Sequence, residues 1–210
     1  MKTALIFDLD NTIYPVNSIA DHLFGELFAL LDRHSDTINA KHPDTATRIK
    51  EEMTRRPFQY IADKYGLNTG IREAMEQTLR NITYDLPMQP FNDYHNLKDI
   101  PFDKYLVTTG YPKLQYSKIR QLGIENDFTE IFIVDPDKSS QSKKDVFVSI
   151  MDKYVYQPEQ LLVIGDDPAS EIKAAVELGI DTFLFDPNSI YPDAVTTHRS
   201  HKLMAVLSVI

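Results

Sequence analysis

The 210-residue chain contains no cysteine. That excludes disulfides, zinc–thiolate centres and a thiol nucleophile, and it suits a reducing cytosol. No apolar stretch approaches the length of a membrane span. The opening segment, Met1 to Phe7, is too short for the apolar core of a signal peptide, and charge follows at Asp8. A cytoplasmic location without membrane attachment is expected. Positive charge is also scarce: 22 Lys and Arg stand against 31 Asp and Glu, a net charge of -9. A nucleic-acid partner is not expected of such a chain. An anionic ligand would need a local positive centre, a lysine or a metal ion. There is no internal repeat, and the one small polar tract, Lys138 to Lys144, reads as a loop.

What is present is an ordinary globular composition, 42% hydrophobic and 25% charged. Five short apolar segments read as strands: Thr3 to Phe7, Tyr105 to Thr108, Glu130 to Val134, Leu161 to Ile164, and Thr182 to Phe185. They do not alternate, as expected of strands buried on both faces of a parallel sheet. Helical patterns separate them at Lys113 to Leu122, Asp145 to Tyr154 and Ala169 to Leu178, and a last helix is expected from about His198 to Leu207. The alternation predicts an α/β, doubly wound, Rossmann-like sheet.

One connection breaks the rhythm. Between Tyr14 and about Pro101 there is no strand pattern, only apolar residues at helical spacing such as Ile19, Leu23, Leu27 and Leu31. So long a structureless loop is implausible. The reading is an inserted all-helical cap, residues 14–98, over an α/β core formed by 1–13 and 99–210. The aromatics Phe58, Tyr60, Tyr65 and Tyr84 are expected in the interior of the cap, with stacking on a substrate base as the alternative; Arg55 and Arg56 are expected as a solvated pair, with contact to a second anionic group as the alternative.

Chemistry-bearing residues gather where the strands end. Asp8 and Asp10 follow the first strand; Thr108, Thr109 and Gly110 end the second. Lys143 and Lys144 open a helix after the third, and Asp166 and Asp167 end the fourth, with Glu171 one helical turn on. In an open parallel sheet these ends share one crevice. A carboxylate such as Asp8 can attack phosphorus, and a second, Asp10, can carry protons to and from the leaving group and water. Asp8 and Asp166 offer hard oxygens suited to magnesium. A lysine and the Thr108 hydroxyl, with the backbone amides of Thr109 and Gly110, can receive phosphoryl oxygens. Other roles compete: Asp167 before Pro168 has the form of a helix N-cap, Glu171 can complement a helix dipole, and Ser142 can cap the helix that Lys143 opens. His198 and His201 are expected as an exposed pair on one helical face.

These motifs resemble the haloacid dehalogenase-like superfamily. A hydrophobic strand followed by D-x-D-x-T appears as Ile6-Phe7-Asp8-Leu9-Asp10-Asn11-Thr12. A strand ending in Thr appears as Leu106-Val107-Thr108-Thr109-Gly110. A lysine opens a helix at Lys143 or Lys144, and Gly165-Asp166-Asp167-Pro168-Ala169-Ser170-Glu171 matches G-D-x-x-x-x-(D/E). The resemblance implies Asp8 as nucleophile and Asp10 as acid/base. It implies magnesium on Asp8, the Asp10 carbonyl and Asp166, with Glu171 behind the metal. It implies phosphate binding by Thr108 and a lysine, Lys143 being preferred by its spacing to Phe147. Two departures stand out: no proline follows the lysine, and Thr109 stands where asparagine is frequent. The run Asp8 to Pro15 is similar to phosphatases acting on nucleoside monophosphates. The expected activity is thus magnesium-dependent hydrolysis of a small phosphate ester through an aspartyl-phosphate. The alternatives are a phosphomutase or dehalogenase on the same scaffold, or a phospho-accepting signalling module.

Overall fold

Ala4-Leu5-Ile6-Phe7 forms β1, the centre of the molecule, in a computed structural model that describes residues 2–40, 42–138 and 141–210. All four side chains are buried, on opposite faces. Leu5 and Phe7 join one apolar cluster, which also takes in the helical insertion; Ala4 and Ile6 join a second with Tyr105, Val107 and Phe147. That two-sided burial is why the strands show no alternation. Each such Leu, Ile or Phe contributes about 1.5–3 kcal/mol over its exposed state.

The other strands are β2 (Asp103–Thr109), β3 (Glu130–Val134), β4 (Leu161–Gly165), β5 (Asp181–Phe185) and β6 (His198–Ser200). They form a wholly parallel sheet in the order β3-β2-β1-β4-β5-β6. The order reverses at β1, whose carboxyl end is therefore the natural crevice. Among the described residues, the first six α-helices after β1 are α1 (Ala20–Leu23), α2 (Gly25–Arg33), α3 (Ser35–Asn39), α4 (Thr45–Met53), α5 (Phe58–Tyr65) and α6 (Thr69–Asn81). They make a separate helical cap region. A short α7 (His95–Lys98) leads into β2, and α8 (Pro112–Leu122), α9 (Lys143–Tyr154) and α10 (Lys173–Glu177) flank the sheet.

Four expectations need correction. The last helix is instead β6 followed by a 3₁₀ turn, Leu203–Ser208. His198 pairs with Phe183 in the sheet, so it shares no helical face with His201, whose Nδ1 lies 2.7 Å from the Asp186 carbonyl. The expected helix Ala169 to Leu178 begins with a wide, distorted turn, Pro168–Ile172, in which Ser170 leaves helical backbone angles. Of the cap aromatics, Phe58 and Tyr84 are buried, but Tyr60 is 51% exposed, flanked by Arg56 and Lys64. In the tract expected as a loop, Ser139 and Ser140 lie outside the described residues.

Candidate active site

The end of β1 delivers two carboxylates into different surroundings. Asp8 stays in register, its amide donating to the Ile164 carbonyl at 2.9 Å. The chain then turns, with Asn11 in the left-handed region (φ 58°), which asparagine tolerates. The Asn11 amide group donates to the Thr54 carbonyl of the cap at 3.0 Å, and its Oδ1 accepts from the Val16 amide. This turn therefore fixes both the carboxylate pair and the cap loop above it.

Asp8 faces a buried lysine. Lys143 Nζ donates to Asp8 Oδ1 at 2.6 Å and to Glu171 Oε2 at 2.7 Å. Lys143 sits there because Ser142 and Asp145 form a reciprocal cap at the start of α9, which aims the first side chain of the helix at β1. Lys144, one step on, pairs with Glu177 at the surface. Burial works against the Lys143 ammonium, but Asp8 and Glu171 outweigh it and hold the group charged. The Asp8 carboxyl is pushed up to about 7, chiefly by burial; Lys143 opposes the rise and Glu171 adds to it.

Asp166 ends β4 beside them. Burial, then Glu171 and Asp8, raise its carboxyl well above the usual range. Asp8, Asp166 and Glu171 each place one carboxylate oxygen within 4.8 Å of the other two. Three buried hard-oxygen donors with a single hydrogen-bonded ammonium are a donor set matched to a small divalent cation, which would relieve their mutual repulsion. Glu171, expected behind the metal, belongs to this cluster. Gly165 makes room for it, since a Cβ at 165 would overlap the Glu171 carboxylate. Asp167 caps the following turn through Ala169 at 2.8 Å and donates its own amide to Glu171 Oε1 at 2.8 Å.

Asp10 is turned to the other side. Its oxygens accept from Lys118 Nζ at 2.9 and 3.1 Å, from Gln115 Nε2 at 3.0 Å, and from the Tyr14 hydroxyl. Burial alone would raise the Asp10 carboxyl, but Lys118 above all, with Tyr14 and Gln115, holds it below the usual range. Tyr14 is driven the opposite way by burial and by Asp10 itself. Gln115 Nε2 also reaches Thr108 Oγ1 at 2.6 Å, tying Thr108 to the Asp10 network. The Gly110 amide, expected to be open to phosphate, instead donates to the Val134 carbonyl at 3.1 Å.

Lys118, Gln115 and Tyr14 are site residues that were not expected. The signal was there: 115 and 118 lie on the same stripe of α8 as the buried Leu114 and Ile119, so polar groups interrupt an apolar face. Arg55 and Arg56 were expected in solvent. The cap instead holds them over the crevice, Arg56 paired with Asp167 and Arg55 Nη2 3.9 Å from Asp166 Oδ2.

A family model described as haloacid dehalogenase-like hydrolase matches residues 2–179. This chain belongs to that family. Among relatives of the hydrolase, the Bacillus subtilis protein YfnB, a HAD-hydrolase by name, is 25% identical over 95% of this chain and 91% of its own. A glyceraldehyde 3-phosphate phosphatase of Methanopyrus kandleri is 23% identical over 87% and 83%. The crystal structure of YfnB bound to magnesium superposes with a TM-score of 0.64, at 23% identity over 99% and 98% of the two chains. An L-2-haloacid dehalogenase of Xanthobacter autotrophicus shares the fold with a TM-score of 0.60 at 15% identity over 100% and 98%.

Proposed function

We propose that this hydrolase is a magnesium-dependent phosphomonoesterase acting on a small phosphorylated metabolite. The observation that carries the reading is the division of labour between Asp8 and Asp10. One carboxylate lies among cation-seeking oxygens, and the other is held two residues away by its own lysine, clear of that cluster. A nucleophile and a separate proton carrier are what a phosphoester with a poor leaving group requires. The phosphatase of Methanopyrus kandleri supports the same reaction class, and the magnesium in the YfnB crystal supports the metal. Dehalogenases that share this scaffold form an ester that does not require a second acid, and the Asp10 network favours the phosphatase reading over theirs.

Asp8, the Asp10 carbonyl and Asp166 would hold the magnesium, which supplies positive charge that lets an anionic ester approach an anionic nucleophile. Lys143 and the Thr108 hydroxyl orient the phosphoryl oxygens. A carboxylate oxygen of Asp8 forms a bond to phosphorus as the ester P–O bond breaks. Asp10, ionised in the free site, takes up a proton with the singly protonated ester, delivers it to the departing oxygen, and regains one from the water that attacks the aspartyl-phosphate. Phosphate leaves and Asp8 is restored. Nucleoside monophosphates are members of this substrate class, on the likeness of the Asp8 to Pro15 run to phosphatases of such esters. The test is phosphate release from a broad panel of phosphomonoesters. Release with magnesium and its loss on chelation are expected; no release from any ester overturns the reading.

A further inference from the structure

The cap loop from Thr54 to Pro57 joins α4 to α5 and lines the same cleft as Asp8, Lys143 and Asp166. Its neighbours pin it on both sides. Thr54 is held by Asn11, and Arg56 by Asp167. Arg55 is different. Its side chain makes no hydrogen bond among the described residues. The approach to Asp166, at 3.9 Å, lies beyond hydrogen-bonding distance. The Tyr191 ring, from the segment after β5, lies 5.7 Å from the guanidinium and limits where it can move. A guanidinium fork with unused donors, fixed over a cleft, is the geometry that receives a carboxylate or phosphate in bidentate fashion. Once Asp166 is engaged by a cation, its carboxylate no longer competes for Arg55.

The route from the reacting carboxylate to this fork is short. Asp8 and Asp166 each place one carboxylate oxygen within 4.8 Å of the other, and Arg55 Nη2 lies 3.9 Å from Asp166 Oδ2. We propose that Arg55 recognises a second anionic group of the substrate, a carboxylate or another phosphate, a few carbon atoms from the reacting phosphate. The proposal rests on the phosphomonoesterase reading and narrows it to esters with two anionic ends.

The test is binding, measured by calorimetry on magnesium-loaded Asp8→Asn protein so that turnover does not intrude. Glycerol 3-phosphate and 3-phosphoglycerate share a skeleton and differ by a neutral alcohol against a carboxylate. Glycerol 1,3-bisphosphate keeps the skeleton and the 2-hydroxyl and carries a second phosphate in place of that carboxylate. Either doubly anionic probe should bind about tenfold to a hundredfold more tightly than glycerol 3-phosphate, the range of a charged hydrogen-bonded contact. Which of the two gains more identifies the anion. Adding Arg55→Met should erase the preference, costing the doubly anionic probes about tenfold more than glycerol 3-phosphate, while Arg55→Lys keeps part of it. Equal losses for all three probes would assign Arg55 to the reacting phosphate and overturn the proposal alone. So would a preference that survives Arg55→Met. Failure of every probe to bind would overturn the phosphomonoesterase reading as well.

Discussion

Replacing Lys143 with methionine isolates the electrostatics of the site from its chemistry. Lys143 is the sole cationic side chain hydrogen-bonded to Asp8, Asp166 or Glu171 among the described residues. The three partners of that pairing are well buried, at 8%, 8% and 2% side-chain exposure for Lys143, Asp8 and Glu171, so water screens little of it. Removing one member of a buried ion pair costs about 3–5 kcal/mol, because the other is left charged and dry. Methionine keeps most of the lysine volume, so packing adds little to this. The stranded carboxylates answer by taking up protons. A carboxyl whose folded pKa is raised above its unfolded value stabilises the fold at low pH and loses that contribution as pH rises. The deficit of Lys143→Met should therefore widen with pH. Urea unfolding in chelator should show about 3–5 kcal/mol at about pH 8 and clearly less at about pH 5. Magnesium binds only the folded cluster, and at a hundredfold over its dissociation constant should return about 2.7 kcal/mol. An unchanged midpoint in chelator, or a deficit that shrinks as pH rises, would refute the picture of an over-charged carboxylate cluster held by one ammonium.

Two further outcomes follow from the same geometry. Asp8→Asn should fold and release no phosphate. In chelator it should gain stability relative to wild type as pH climbs from about 4 to about 7, because the Asp8 carboxyl rises from 3.8 to about 7 on folding; urea melts across that window check the sign. Lys118→Met frees Asp10 from its strongest restraint, and hydrolysis of alkyl phosphates should slow by about 10²-fold, the lower range for general-acid catalysis. With p-nitrophenyl phosphate, whose leaving group needs no proton, the burst of p-nitrophenol release should be nearly spared, because only the later hydrolysis of the aspartyl-phosphate calls on Asp10; equal losses in the burst phase of both esters would mean that Lys118 does not act through Asp10.

The parallel sheet was legible because strands buried on both faces carry unbroken apolar runs, as β1 and β4 do. The cap was legible because Ile19, Leu23, Leu27 and Leu31 repeat at helical spacing over a stretch without strand pattern. β6 was not, because its three residues, His198–Ser200, are polar and too few to show a period. The buried Leu203 and Val206 beyond it have helical spacing and drew the expected helix back over the strand. In the site, Asp8, Asp166 and one of Lys143 and Lys144 could be brought together from topology alone, since each ends a strand or opens the next helix. Lys118 could not, and for Arg55 solvent was favoured over an anionic ligand. Their roles depend on which way a helix is rotated and where a cap loop hangs, and local sequence records neither. Asp10 shows the same limit: its position was readable, but not the three side chains that turn it away from Asp8.

The central claim is that Asp8 is the atom donor that attacks phosphorus. Turnover of a radiolabelled phosphomonoester with magnesium, quenched in acid, tests it most directly. The account predicts protein-bound phosphate that maps to Asp8 in the wild-type protein and is absent from Asp8→Asn. Phosphate released with no labelled protein intermediate under single turnover, or label mapping to another residue, would contradict it.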